Sequence, residues 1–269
     1  MDDVPRTAGE RWAAALDEWA IPAEIVAQAP ESPWFHDPAH FAADDTLPVE
    51  SRSSVVAREV LPRTGGTVLD VGCGGGRASL SLVPPAELLI GVDPSADMLR
   101  SFTSAALRAG VMSTTILGPW PEVAEDEPFP VVDVAVCHHV LYNVRGIEKF
   151  VAALTRQARL GVVIEMTDRH PQSAWSGAWR HFWGIERPTS PSADDVVAVL
   201  RELGYDPEVW WGPKPPMASG AGDPRRAVAS ARRRLCLPES RDAEIGAWLA
   251  EHPPEWTDSV VTLRWPGGA

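Results

Sequence analysis

Four stretches of this sequence place residues able to do chemistry at the ends of apolar runs. In VVDVAVCHHVLYNV, Val131 to Val144, the run closes on His138, His139, Tyr142 and Asn143. A histidine near neutral pH can take the proton of a hydroxyl or amine as that group attacks, so His138 and His139 are candidate bases, with Tyr142 a third candidate beside them. In VLDVGCGGGRAS, Val68 to Ser79, the run passes Asp70 and breaks into Gly72, Gly74, Gly75 and Gly76 before Arg77 and Ala78 open a helix. Strand, glycine turn, helix is a nucleotide cradle, because the backbone must turn sharply and meet a ligand with no Cβ in the way. Leu88 to Val92 ends at Asp93, about 20 residues beyond Gly72, where a carboxylate can accept both hydroxyls of a ribose. LGVVIEM ends in Glu165, with Thr167, Asp168 and His170 following, and Glu165 and His170 are candidates for acceptor binding or proton transfer. Helix capping by Asp70 and Asp93 is the structural alternative for those two acids.

Spacing separates the ligand classes. A dinucleotide site asks for a third Gly or Ala three residues after Gly74, where this chain has Arg77. Acid-x-Gly-x-Gly-x-Gly, Asp70 to Gly76, instead resembles motif I of the class I S-adenosylmethionine-dependent methyltransferases, and GVDPSADML, Gly91 to Leu99, is similar to that family's next motif. The resemblance implies S-adenosylmethionine as cofactor and S-adenosylhomocysteine as product. It assigns cofactor contacts to Asp70, Gly72, Cys73, Gly74, Gly76, Arg77, Asp93, Pro94 and Met98, with Asp70 beside the cationic amino-acid end. HHVLYN resembles the family's segment after the fourth strand, where HVLEH-like sequences are usual; Tyr142 and Asn143 depart from it, and His138 would border the cofactor as well as the acceptor. Many members carry an acid after the third strand for the adenine amino group. Here Gly118 or Pro119 stands in that place, leaving Trp120 to stack on the base or to pack against prolines. The Ala-, Arg- and Pro-rich style resembles actinobacterial-type members.

A sheet must hold these residues in register. Apolar runs at 68–72, 88–92, 111–117, 131–137, 160–165 and 206–211 alternate with helical patterns at 77–83, 95–109, 146–158 and 192–203. Such alternation predicts βαβ units and a parallel sheet with ligands above the strands' C-terminal ends. SVVTLRW, Ser259 to Trp265, reads as a last strand lying antiparallel beside the sixth, after helices near 224–236 and 241–251. The expected fold is α/β, a Rossmann-like doubly wound sheet of seven strands. Residues 1–48 are expected as a helical lid, with packing against the sheet's outside as the alternative, and 49–269 as the methyltransferase domain with insertions at about 166–191 and 212–257.

Twelve tryptophans lie outside the glycine-loop core. Trp34 and Phe35 sit in a Pro- and aromatic-rich covering loop; Trp175 and Trp179 recur at helical spacing after the fifth strand, where this fold inserts acceptor-binding elements. With Tyr142, Asn143, Glu165 and His170 they form the expected acceptor wall. A formal charge of −13 argues against a nucleic acid as principal partner, since phosphate backbones are held by cations. Five arginines at 225, 226, 232, 233 and 234 are the exception, read as a solvated face or as a grip on an anionic acceptor. Three dispersed cysteines suggest neither disulfides nor a metal site, the N-terminus lacks a signal pattern, and no run reaches the roughly 18 apolar residues of a membrane span. A cytoplasmic, monomeric or homodimeric methyltransferase of a small, partly aromatic acceptor is the leading expectation. A non-catalytic cofactor-binding partner or sensor, an RNA methyltransferase and a nicotinamide-dependent oxidoreductase compete with it.

Overall fold

The computed structural model describes residues 6–34, 50–125, 128–213 and 224–269. Two helices come first, α1 (Ala8–Asp17) and α2 (Ala23–Val26), and α3 (Arg52–Val60) leads into the sheet. Strands β1 (Gly66–Val71), β2 (Ala86–Asp93), β3 (Met112–Leu117), β4 (Val132–His138) and β5 (Ala158–Thr167) alternate with α4 (Arg77–Leu80), α5 (Ala96–Arg108) and α6 (Ile147–Gln157). Then follow α7 (Ser176–Trp183), α8 (Ala193–Glu202), β6 (Glu208–Pro213), α9 (Pro224–Arg234), α10 (Asp242–Glu251) and β7 (Ser259–Pro266).

The strands form one seven-stranded sheet in the order β3-β2-β1-β4-β5-β7-β6. Strand β7 runs antiparallel between β5 and β6, and the other neighbours pair in parallel. The order reverses between β1 and β4, where connections leave toward opposite sides and open a crevice for ligands. Side chains alternate across the sheet. Leu69, Ile90, Ala135, Val162 and Leu263 pack under α1, α6 and α8; Val68, Leu89, Val134 and Val163 pack under α3, α4 and α5.

Local signals start the helices. Thr7 with Glu10, Ser51 with Ser54 and Ser192 with Asp195 form reciprocal capping boxes, and Ser95 Oγ accepts from Met98 N at α5.

The N-terminal segment joins the sheet's helical layer. Helix α1 packs on α6 and α8, and Trp12, 1% exposed, donates from Nε1 to Val144 O at 2.7 Å. Over α1 the segment thus contributes a buried helix to that layer. Phe35, expected in the covering loop, lies outside the described residues. The two insertions meet one another: Ile25 of α2, Trp175, Trp179 of α7, Ala231 of α9 and Ile245 of α10 share a satellite core. Among the described residues no helix is long and apolar enough to cross a membrane.

Candidate functional site

The cradle is built at the C-terminal ends of β1 and β2. Gly72 N and Cys73 N both donate to Val92 O, at 2.8 and 3.1 Å, so the loop is folded over the end of β2. Gly72 has φ +68° and Gly74 φ +50°, a region that costs an L side chain free energy, and a Cβ on Gly72 would lie 2.4 Å from Val140 Cγ2. Asp93 closes the arrangement. Its Oδ2 accepts from Gly74 N at 3.0 Å and its Oδ1 from Ser95 N at 2.8 Å. A carboxylate has about four lone-pair sites, so each oxygen keeps capacity for one hydroxyl. The cradle and its acid therefore fit the ribose end of S-adenosylmethionine. Met98 is buried in the first turn of α5, while Pro94 and Arg77 are exposed at the loop's edges.

Asp70 and Trp120 depart from expectation. Asp70 is 1% exposed, and its Oδ2 accepts from Ser79 Oγ at 2.6 Å and Ser79 N at 3.3 Å. It shares the face of Val68, under α4, so the carboxylate ties the first turn of that helix to β1. Burial pushes its pKa up to about 6 against those hydrogen bonds. Trp120 turns inward, donating from Nε1 to Phe150 O at 3.2 Å with its ring edge-on to Phe129. It is a core residue under α6, which leaves no indole for the adenine.

Beside the cradle, β4 and β5 bring His138, His139 and Glu165 together. His138 and Glu165 are register partners, and His139 N donates to Glu165 O at 2.8 Å. His139 has φ +58°, a left-handed conformation that a non-glycine residue adopts at a cost of order 1 kcal/mol. That turn brings its Nε2 to 3.3 Å from Glu165 Oε1. A carboxylate there calls for a proton on Nε2, which leaves Nδ1 with its lone pair, and 41% of the side chain remains exposed. Burial alone would raise the Glu165 pKa, but the hydrogen bond from His139, the charges of both histidines and the Ser53 hydroxyl hold it at about 2. Ser53 Oγ, from the first turn of α3, donates to Oε2 at 2.6 Å and is itself tied to Ser51 Oγ at 2.8 Å. Burial lowers the His138 pKa to about 4, so that ring is neutral and weakly basic at pH 7.

Sequence reading missed Ser53. Its only signal was the SRSS run that caps a helix.

The remaining candidates are mostly structural. Tyr142 OH accepts from Thr167 N and lies 2.6 Å from Thr167 Oγ1, whose own proton goes to Arg169 O at 2.6 Å, so the Tyr142 proton goes to Thr167. Burial raises its pKa above the ordinary phenol range, and no group is left free for catalysis. His170 is stacked on Trp19 at 4.0 Å between centroids, accepts from Gln172 N through Nδ1, and is lowered by burial to about 4. Asn143 is exposed, its amide donating to Val140 O. Trp175 and Trp179 are buried in the satellite core and wall no open site, whereas Trp34 is 48% exposed.

Residues 69–164 match a family described as a methyltransferase domain. Over that stretch the chain carries a methyltransferase domain. A curated relative, the ubiquinone biosynthesis O-methyltransferase of Pasteurella multocida (strain Pm70), is 30% identical over 139 residues, 46% of this chain and 55% of that protein. The chain spans about half the length of the curated relatives it matches. Among solved structures, the YcgJ protein from Bacillus subtilis aligns with a TM-score of 0.53 at 17% identity, covering 81% of this chain and 98% of that one. The [4+2]-cyclase SpnF aligns at 0.53 with 15% identity over 99% of this chain and 98% of that one. Both are similar in fold.

The methyltransferase match takes in the cradle, Asp93 and the two β4 histidines, and stops at Ile164. Glu165, Ser53 and the cap of α2, α7, α9 and α10 lie outside it.

Proposed function

We propose that this protein transfers a methyl group from S-adenosylmethionine to a hydroxyl of a small, aromatic acceptor, with His139 as the proton acceptor. The observation that carries this reading is the His139–Glu165 pair at the ends of β4 and β5, next to the cradle that Asp93 completes. When bound, S-adenosylmethionine supplies an electrophilic methyl group on a sulfonium. The glycine loop and Asp93 hold its nucleoside end. Glu165, fixed by Ser53, keeps His139 in the tautomer whose Nδ1 can receive the acceptor's proton, and the carboxylate offsets the charge the imidazole then gains. His138, held neutral by burial, lies next to it at the end of β4. Oxygen as the attacking atom agrees with this base and with the O-methyltransferase names of the curated relatives.

The test is turnover of a panel of phenols with S-adenosylmethionine by wild type and His139→Ala. We expect kcat to fall by about a hundred-fold or more in the variant, with S-adenosylhomocysteine affinity unchanged and the loss shrinking as pH rises toward the phenol pKa. Equal turnover at neutral pH would remove His139 from the mechanism. Failure of every acceptor, with the cofactor bound, would favour the non-catalytic binder.

A further inference from the structure

The sheet's two edges are finished differently. At one edge β6 carries Glu208, paired with Arg264 at 3.0 Å, and ends on Gly212 and Pro213; a charge and a proline keep a free edge from pairing with another strand. At the other edge β3, MSTTIL, holds no charge, no proline and no bulge. Its backbone is bonded to β2 along one side, and among the described residues nothing pairs with the other side. Leu107 of α5 and Met112 and Leu117 of β3 are each more than half exposed.

Helix α5 packs on β3 and β2 and leaves an open groove along the edge, lined by Ala96, Leu99, Arg100, Thr103, Ser104 and Thr115. The α5 hydroxyls there are already satisfied within the helix. Thr103 Oγ1 donates to Leu99 O at 3.0 Å and Ser104 Oγ to Arg100 O at 2.9 Å, so covering them breaks no bond. The helix carries Asp97 in its first turn, where it pairs with Arg100, and Arg108 in its last. Strand and helix together thus hold one acid and two bases, a nearly neutral face on a chain of net charge −13.

We propose that the edge formed by β3 and α5 is the interface of a homodimer, in which β3 adds antiparallel to β3 of a second copy and continues the sheet. A two-fold axis normal to the sheet reverses the second strand and keeps both α5 helices on one face. Strands about 4.8 Å apart then place the two α5 axes, each lying over β2 and β3, about 10 Å apart, the distance at which helices pack. Charge complementarity favours a copy of this chain over an unrelated strand. Thr115 lies beside Thr103 in the groove, so an axis through the middle of β3 passes near the middle of α5. Antiparallel helices then bring Asp97 of each copy toward Arg108 of the other, and along β3 no charge meets a like charge. None of this depends on methyl transfer.

The experiment is sedimentation equilibrium of the full chain from the micromolar to the high-micromolar range, with hydrogen exchange of the β3 amides followed over the same range. A dimer is expected, with exchange of the β3 amides slowing as it forms. Thr114→Lys and Thr103→Arg each set like charges against one another near the axis. Either should raise the dimer dissociation constant at least ten-fold while folding as wild type does by circular dichroism. A chain that stays monomeric would leave the edge to a strand of another protein and overturn the assignment. A dimer whose β3 amides exchange no more slowly, or one that both folded variants leave intact, would overturn it equally.

Discussion

His139 has a carboxylate behind one ring nitrogen, and that carboxylate has a serine behind it. Each link reports in a different measurement. Glu165 has a folded pKa of about 2 against an ordinary 4.5, so its native form binds fewer protons than its unfolded form. Its stabilisation, about 3 kcal/mol at most, is present above pH 4.5 and is lost as pH falls toward 2. Acid unfolding followed by circular dichroism should accordingly be less steep in Glu165→Gln, and an unchanged acid limb would mean the carboxylate is not held as described. At Asp93 the readout is affinity. Replacement by Ala removes the acceptor for two ribose hydroxyls and should weaken S-adenosylhomocysteine binding by about 1.5–3 kcal/mol, roughly ten- to a hundred-fold by calorimetry. The place of Asp93 could be read from the sequence because it closes an apolar strand about 20 residues after the glycine turn. Ser53 could not, since it meets Glu165 across 112 residues of chain. For Asp70 the sequence offered cofactor contact or helix capping, and its bonds to Ser79 in the first turn of α4 are those of a cap.

Elements were easier to read than their partners. Alternating apolar runs located every strand of the sheet to within about two residues. A stripe, however, says that a helix buries one face and not what covers it. The apolar face of α1 fits a lid as well as a layer helix, and in the fold it packs on α6 and α8. The same holds for Trp175 and Trp179, whose helical spacing serves a core formed with α9 and α10. Trp12→Ala should therefore cost about 3–5 kcal/mol in denaturant unfolding, the range for deleting a buried aromatic, with cofactor affinity unaltered in the folded variant. A stable variant with weakened cofactor binding would restore α1 as a lid.

At the scale of the whole molecule, the sheet reverses its strand order between β1 and β4, and the cradle and the histidine pair sit at the ends of strands flanking that reversal. A fold shared with a cyclase does not by itself fix a reaction, so the weight falls on the residues in the crevice. The net charge of −13 is consistent with a small acceptor in place of a nucleic acid. The central claim is that the glycine loop and Asp93 hold S-adenosylmethionine and not a dinucleotide. Calorimetric titration of cofactor-stripped protein with S-adenosylmethionine and S-adenosylhomocysteine, with NADH as control, tests it most directly. Saturable, micromolar binding of both sulfur ligands and none of NADH is the predicted result; binding of NADH, or of none of the three, would contradict it.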